Sequence, residues 1–176
     1  MIHYGEHSRK IPAPVDFTDK VAVKVLEDTL IKTLETKHFN AIFDYVTAPE
    51  IGLHYAAFCI RQEKEEPLLV CFNPRIVYTS PEYAVGEETS ISMPGIVVKV
   101  QRPYEVRFRY QDANGEIYTK HFNGAKARFA LRCMDMMEGK IFWDHADYFH
   151  RQRAKRKWKL VERKIRQINS KTRENV

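Results

Sequence analysis

The chain has 176 residues, 44% of them hydrophobic and 12% aromatic, which suffices for one globular domain with its own core and excludes a disordered chain. Its formal net charge of +6 is unevenly spread: residues 151–176 hold eleven Lys/Arg against two Asp/Glu, and residues 1–150 hold eighteen against twenty-one. A uniformly basic protein is excluded, because a mildly acidic body carries a strongly basic C-terminal extension.

Cys59, Cys71 and Cys133 are widely spaced and form no CxxC pair, which argues against a disulfide framework and for a reducing compartment. No apolar run reaches the ~18 residues of a membrane span. The N-terminus reads as neither a signal peptide nor a transit peptide.

Residues 1–16 read as an extended arm, since Pro12 and Pro14 exclude an early helix. Thr18 is the expected N-cap of a helix running to about Thr36, with Val21, Val25, Leu30 and Leu34 at helical spacing. Pro49 marks a turn. Leu68 to Phe72 is a short buried strand closed by Asn73-Pro74, and Ile76 to Tyr78 is another. Gly95 to Val100 forms a strand bounded by Pro94 and Pro103. Between Tyr104 and Tyr110, Val106, Phe108 and Tyr110 share one face. Asn114-Gly115 turns that strand back onto Glu116 to Phe122. A second helix runs from about Ala125 to Glu138 and ends at Gly139. From Tyr148 onward there is no Gly or Pro, and Trp158, Val161, Ile165 and Ile168 place an apolar stripe on a basic helix. This order predicts the α+β class with a largely antiparallel sheet.

Several fragments fall in the order and spacing of one family. Ile2-His3-Tyr4, Ile51-Gly52-Leu53, Ser92-Met93-Pro94-Gly95, Asn114-Gly115 and Glu138-Gly139-Lys140-Ile141-Phe142 resemble the peptide deformylases over roughly residues 1–146. The resemblance implies a mostly antiparallel sheet around a central helix, with residues 147–176 as a helical extension. It also implies an activity, removal of the formyl group from the initiator methionine of nascent chains. The family's divalent metal is held by one Cys and by two His of a helical His-Glu-x-x-His, whose Glu is the general acid/base. A Gln side chain and a backbone amide stabilise the oxyanion.

The chain departs from that pattern at the reactive positions. Laid on Glu50 to Ala57, the motif Gly-x-Gly-Leu-Ala-Ala-x-Gln puts the oxyanion Gln at Ala57. The motif Glu-Gly-Cys-Leu-Ser becomes Glu88-Thr89-Ser90-Ile91-Ser92, with Ser90 at the metal-binding Cys. His-Glu-x-x-His becomes Arg132-Cys133-Met134-Asp135-Met136. A Ser hydroxyl does not supply a thiolate, and the Met136 thioether suits a soft ion. Arg132 brings a fixed positive charge, and two unit charges ~4 Å apart repel by ~4 kcal/mol at an effective dielectric of ~20. The expectation is therefore no metal, no cofactor and no catalytic residue. Cys133 and His54 raise the alternative of a Cys–His nucleophile pair, against a reading of both as packing residues. Asp135 reads as a structural hydrogen-bond acceptor.

The extension concentrates Arg151, Arg153, Lys155, Arg156, Lys157, Lys159, Arg163, Lys164 and Arg166 around Trp158. Such density favours a polyanionic partner over a solvated helix or a membrane surface. Together with the resemblance, it leads to the expectation of a catalytically inactive structural or assembly component of a ribosome. That component contacts ribosomal RNA and ribosomal or assembly proteins, with no membrane and no small-molecule substrate. The expected location is the mitochondrial matrix, otherwise the cytoplasm. The alternatives are a divergent deformylase-type hydrolase with a rebuilt site and a non-catalytic binder of N-terminal peptides.

Overall fold

The computed structural model describes residues 9–36, 44–62 and 66–174, with side chains as far as residue 168. The Ile2-His3-Tyr4 fragment lies outside the described residues, as do His3, His7 and His38. Helix α1 (Lys20–Glu35) is capped by Asp19, whose carboxylate accepts from the Ala22 N–H at 2.9 Å. Thr18, the expected cap, instead donates its N–H to Asp16. Strands β1 (Tyr45–Thr47), β2 (Ala57–Ile60), β3 (Leu69–Thr79), β4 (Tyr83–Ser90), β5 (Met93–Pro103), β6 (Glu105–Gln111) and β7 (Ile117–Asn123) follow. Helix α2 (Gly124–Met137) and helix α3 (Tyr148–Glu174) follow.

Five strands form one antiparallel sheet in the order β1-β2-β3-β6-β7, and β4 and β5 pair separately as a two-stranded ribbon. This is an α+β architecture. Strand alternation explains its layers. Ala57 and Cys59 of β2 face α1, in a core with Leu26, Leu30, Leu34, Val70 and Phe72. Phe58 and Ile60 face the opposite way, onto Ala127, Ala130, Leu131, Cys133 and Met134 of α2. A third core joins Ile96, Val98 and Val100 of β5 to Phe142, Trp143, Ala154 and Trp158. Helix α2 thus lies centrally, between the large sheet and the region of the ribbon.

Several elements differ from the sequence reading. Val21 and Val25 are exposed, and Val23 and Leu26 take their places in the core. Asn73-Pro74 does not end the strand: β3 runs through it with a register shift between Phe72 and Arg75. Asn73 adopts a positive φ of 47° and uses its side chain to bond Val15 N–H at 2.7 Å and Gln111 at 3.0 Å. Strands β1, β2 and β4 escape the sequence reading because none shows a clean period of two. Gly139 ends α2 as expected, and its backbone there (φ 67°) admits no side chain, since a Cβ would sit 2.5 Å from the Arg9 carbonyl oxygen.

Candidate active site

On α2, Arg128, Arg132 and Asp135 follow at i, i+4 and i+7, so all three leave one face of the helix. The ribbon supplies their partners. In β5 the inward row Ile96, Val98, Val100 continues to Arg102, which is buried with them. Its guanidinium grips Glu88 through Nε at 2.9 Å and Nη2 at 2.8 Å, and Nη2 also donates to Asp135 at 2.6 Å. Arg128 donates to Glu88 at 2.9 Å and to the Val100 and Ala84 carbonyls. Gly86 makes room for it, because a Cβ there would lie 2.8 Å from the Arg128 guanidinium carbon. His145 Nε2 lies 2.8 Å from the other Asp135 oxygen. Burial raises the Asp135 pKa, but the bonds from His145 and Arg102 outweigh it and hold the carboxyl below its ordinary value.

Beside this cluster stands Glu50, in the short 3-10 turn Pro49–Ile51 and 2% exposed. Thr47 fixes one carboxylate oxygen, donating from its hydroxyl at 2.9 Å and its N–H at 3.3 Å. The other oxygen accepts the Ser90 hydroxyl at 3.1 Å. Ser90 Oγ in turn accepts the Ser92 N–H at 3.2 Å.

Arg132 completes the site. Its Nε donates to the Tyr45 hydroxyl and its Nη2 to the Thr89 carbonyl, both at 3.2 Å. The guanidinium carbon stands 4.7 Å over the Phe142 ring. Its Nη1 is buried and has no hydrogen-bond partner. Burial disfavours the guanidinium charge, but Tyr45, Glu88 and Glu50 outweigh it and raise the pKa. Arg132 also lines a cavity of about 110 Å³, together with Tyr45, Glu88, Thr89, Arg128 and Phe129.

Of the expected site positions, Ser90 and Arg132 meet here, and Met136 is buried one turn beyond Arg132. Ala57 does not: it lies in β2, packed in the α1 core. Glu50 is the residue that meets Ser90. Moving the first motif seven residues earlier lays Gly-Leu-Ala-Ala-x-Gln on Tyr45-Val46-Thr47-Ala48-Pro49-Glu50, with Glu50, a near-isostere, at the Gln. Cys133 sits on the opposite face of α2 in the apolar core, where burial pushes its thiol far up, and His54 is exposed in a loop. No Cys–His pair forms. Asp135 accepts from Arg102 and has His145 against its other oxygen.

The residues present do not fit the divalent metal that the resemblance implies. Glu88 and Asp135 are already paired with Arg102, Arg128 and Arg132, and both Glu50 oxygens are held by Thr47 and Ser90, so these carboxylates are committed and the guanidiniums would repel an added dication. The Ser90 hydroxyl is turned to Glu50. Among the described residues no group of three His, Cys, Asp or Glu has ligand geometry.

In the C-terminal helix, Arg153, Arg156, Lys157, Lys159, Arg163, Lys164 and Arg166 are exposed, and Arg151 and Lys155 are half-buried. Trp158 is 4% exposed and packs with Ala154 onto the third core, with Val161 and Ile165 against it. Its ring belongs to the interior of this chain and offers no face to a partner. Ile168, assigned to the same stripe, is 63% exposed.

An α+β fold whose strands β1 to β7 pair antiparallel, with a buried polar cluster between a central helix and a two-stranded ribbon, defines the class. A family model described as polypeptide deformylase matches residues 3–152. A peptide deformylase of Synechococcus sp. (strain RCC307) is 36% identical over 142 residues, covering 78% of this chain and 69% of that protein. A peptide deformylase of Borreliella burgdorferi is 34% identical over 100 residues, and the match spans only 61% of its length. Among solved structures, a peptide deformylase from Legionella pneumophila superposes with a TM-score of 0.78 at 28% identity, over 93% of this chain and 95% of that one. The chain belongs to the peptide deformylase family.

These findings correct the sequence reading of function. Relatives with this degree of identity carry the enzyme's name, which overturns the expectation of a catalytically inactive ribosomal component. They favour the alternative of a deformylase-type hydrolase. The apolar stripe of the basic helix packs largely into the chain's own third core.

Proposed function

We propose that this chain is a deformylase-type hydrolase that releases the formyl group from the N-terminus of peptides, through a site rebuilt around Glu50. The family match over residues 3–152 carries this reading. Hydrolysis needs a base for the attacking water and a donor for the carbonyl oxygen. Glu50 is the base: Thr47 fixes one of its oxygens, and the other, which accepts a hydrogen bond from the Ser90 hydroxyl at 3.1 Å, takes the water's proton. A water oxygen adds to the formyl carbon and passes a proton to Glu50. The C–N bond breaks as its nitrogen takes that proton from Glu50, and the formic acid released passes its own proton to the free amine, so the products are formate and the peptide's ammonium terminus. Glu88 is committed to Arg102 and Arg128 and does not serve as the base.

The test is a formyl-methionyl peptide incubated with the full chain, with free amine and formate both measured. Turnover is expected to survive a chelator and to fall at least about 100-fold in Glu50→Gln. No turnover by the intact chain overturns the proposal, and turnover abolished by the chelator overturns the rebuilt site.

A further inference from the structure

We propose that Arg75 of β3 and Arg109 of β6 form a binding site for a phosphate monoester, on the face of the large sheet turned away from α2. The site is separate from the cluster around Glu50, and it does not rest on the hydrolase reading.

The strand register builds it. Phe72 pairs with Gln111, so in an unbroken antiparallel ladder Arg109 would face Pro74. Strand β3 instead carries one extra residue between Phe72 and Arg75, which sets Arg75 directly opposite Arg109. Residues directly opposite in an antiparallel pair share one face of the sheet. Phe108 packs toward α2, so its neighbour Arg109 lies on the other face, and Arg75 with it. The bulge is firmly held. Asn73 sits at a positive φ of 47°, and its amide donates to the Val15 carbonyl and to Gln111 Oε1, both at 3.0 Å. Gln111 Nε2 donates onward to the Gly115 carbonyl at 3.2 Å. A non-glycine residue persists in that conformation only where its surroundings hold it.

The charges name the ligand. Like charges directly opposite each other destabilise a sheet. Other cations of this sheet have partners: the Arg107 guanidinium lies 5.2 Å from the centre of the Tyr78 ring, and Lys120 lies 3.6 Å from Glu66. Among the described residues, Arg75 and Arg109 have neither an ion-pair nor a ring partner. Both are exposed, and they line a cavity of about 230 Å³ with Asn73, Tyr110, Gln111 and Ile117, none of which is a carboxylate. Asp112, next along the chain, is committed to the turn, accepting the Asn114 and Glu116 N–H groups at 2.9 Å. A dianion thus cancels two fixed charges that no other residue lining the cavity cancels. A phosphate monoester carries close to two negative charges near neutrality and three terminal oxygens, enough for two guanidinium forks. A carboxylate and a phosphodiester each bring one charge and two terminal oxygens. The pair therefore selects the monoester over an acidic side chain or a nucleic-acid backbone.

The experiment titrates the full chain, labelled with ¹⁵N, at about pH 7.5 and constant ionic strength. The probes are methyl phosphate, inorganic phosphate, dimethyl phosphate and acetate. Methyl phosphate is expected to bind saturably, at least about tenfold more tightly than dimethyl phosphate or acetate, and to shift the Arg75 and Arg109 side-chain resonances. Arg75→Gln and Arg109→Gln are each expected to weaken that binding at least about tenfold. Methyl phosphate binding no tighter than acetate or dimethyl phosphate, unmoved resonances of the two arginines, or affinity retained in both variants overturns the inference. Inorganic phosphate binding more than about tenfold more tightly than methyl phosphate overturns the ester as the ligand. Should a variant fail to fold, the wild-type affinities and resonances decide alone.

Discussion

Helix α2 buries its two faces against opposite kinds of partner. Toward the large sheet, Ala127, Ala130, Leu131, Cys133 and Met134 pack on Phe58, Phe108 and Phe122. That interface asks only for shape and apolar area, so its tolerance is graded by volume. Toward the ribbon, Arg128, Arg132 and Asp135 enter a cluster with Glu88 and Arg102 in which nearly every polar atom is held by another. There the response is closer to all-or-none, because a lost partner strands a buried charge. The contrast suggests how the fold is kept while its chemistry changes. The apolar face preserves the frame, and the polar face accepts new residues only as charge-matched sets.

Breaking the polar face should have the larger effect. Glu88 serves Arg102 and Arg128 together and is almost fully buried. Glu88→Ala is expected to lower unfolding free energy by at least about 3–5 kcal/mol, the cost of orphaning a buried partner, read by chemical denaturation. Leu131→Ala tests the apolar face and is expected to cost about 2–5 kcal/mol, the large-to-small range for a core leucine. If the leucine costs more than the glutamate, the cluster is softer than its geometry implies.

The sequence made the frame legible far better than the site. The three α-helices of the described residues, the β6–β7 hairpin and part of β5 follow from periodicity and punctuation. The α+β class follows from their order. β2 is hidden because it is buried on both faces, which removes the alternation that marks a strand. Ser90 and Arg132 were readable as replacements, but Glu50 was not, because Ile51-Gly52-Leu53 drew the first motif seven residues too far along. The signal that corrects it is Ala48-Pro49-Glu50, with a carboxylate where an amide is expected. Arg102 left a trace of its own, as the charged member of an otherwise apolar inward row. What no pattern carried is the pairing of Glu88, Arg102, Arg128 and Asp135, which depends on bringing β4, β5 and α2 together.

Acid sharpens the comparison with a smaller effect. The folded Asp135 carboxyl has a lowered pKa, despite burial, because His145 and Arg102 bond it. Its stabilising contribution is therefore fully present above the ordinary Asp value of about 3.9 and is lost as pH falls through the lower folded value. Wild-type stability should decline on acidification toward pH 3, and Asp135→Asn should show a shallower decline over that range. Identical slopes remove Asp135 from the acid response.

The smallest effect is expected at an ion pair of nearly the same length. Glu162 and Arg166 pair along α3 at 2.9 Å, against 2.8 Å for Glu88 and Arg102. The difference is burial: the Arg166 side chain is 77% exposed and that of Arg102 is 3%. Water and salt screen the exposed pair, and both of its long side chains lose rotamer freedom to make it. Glu162→Ala is therefore expected to cost less than about 0.5 kcal/mol, and that cost should shrink further in 0.5 M salt, as about 4 Å of Debye screening predicts. Trp158 and Ala154, buried in the third core, attach α3 to the domain. A loss above about 1 kcal/mol would mean that the helix is held by its charges as much as by its apolar side.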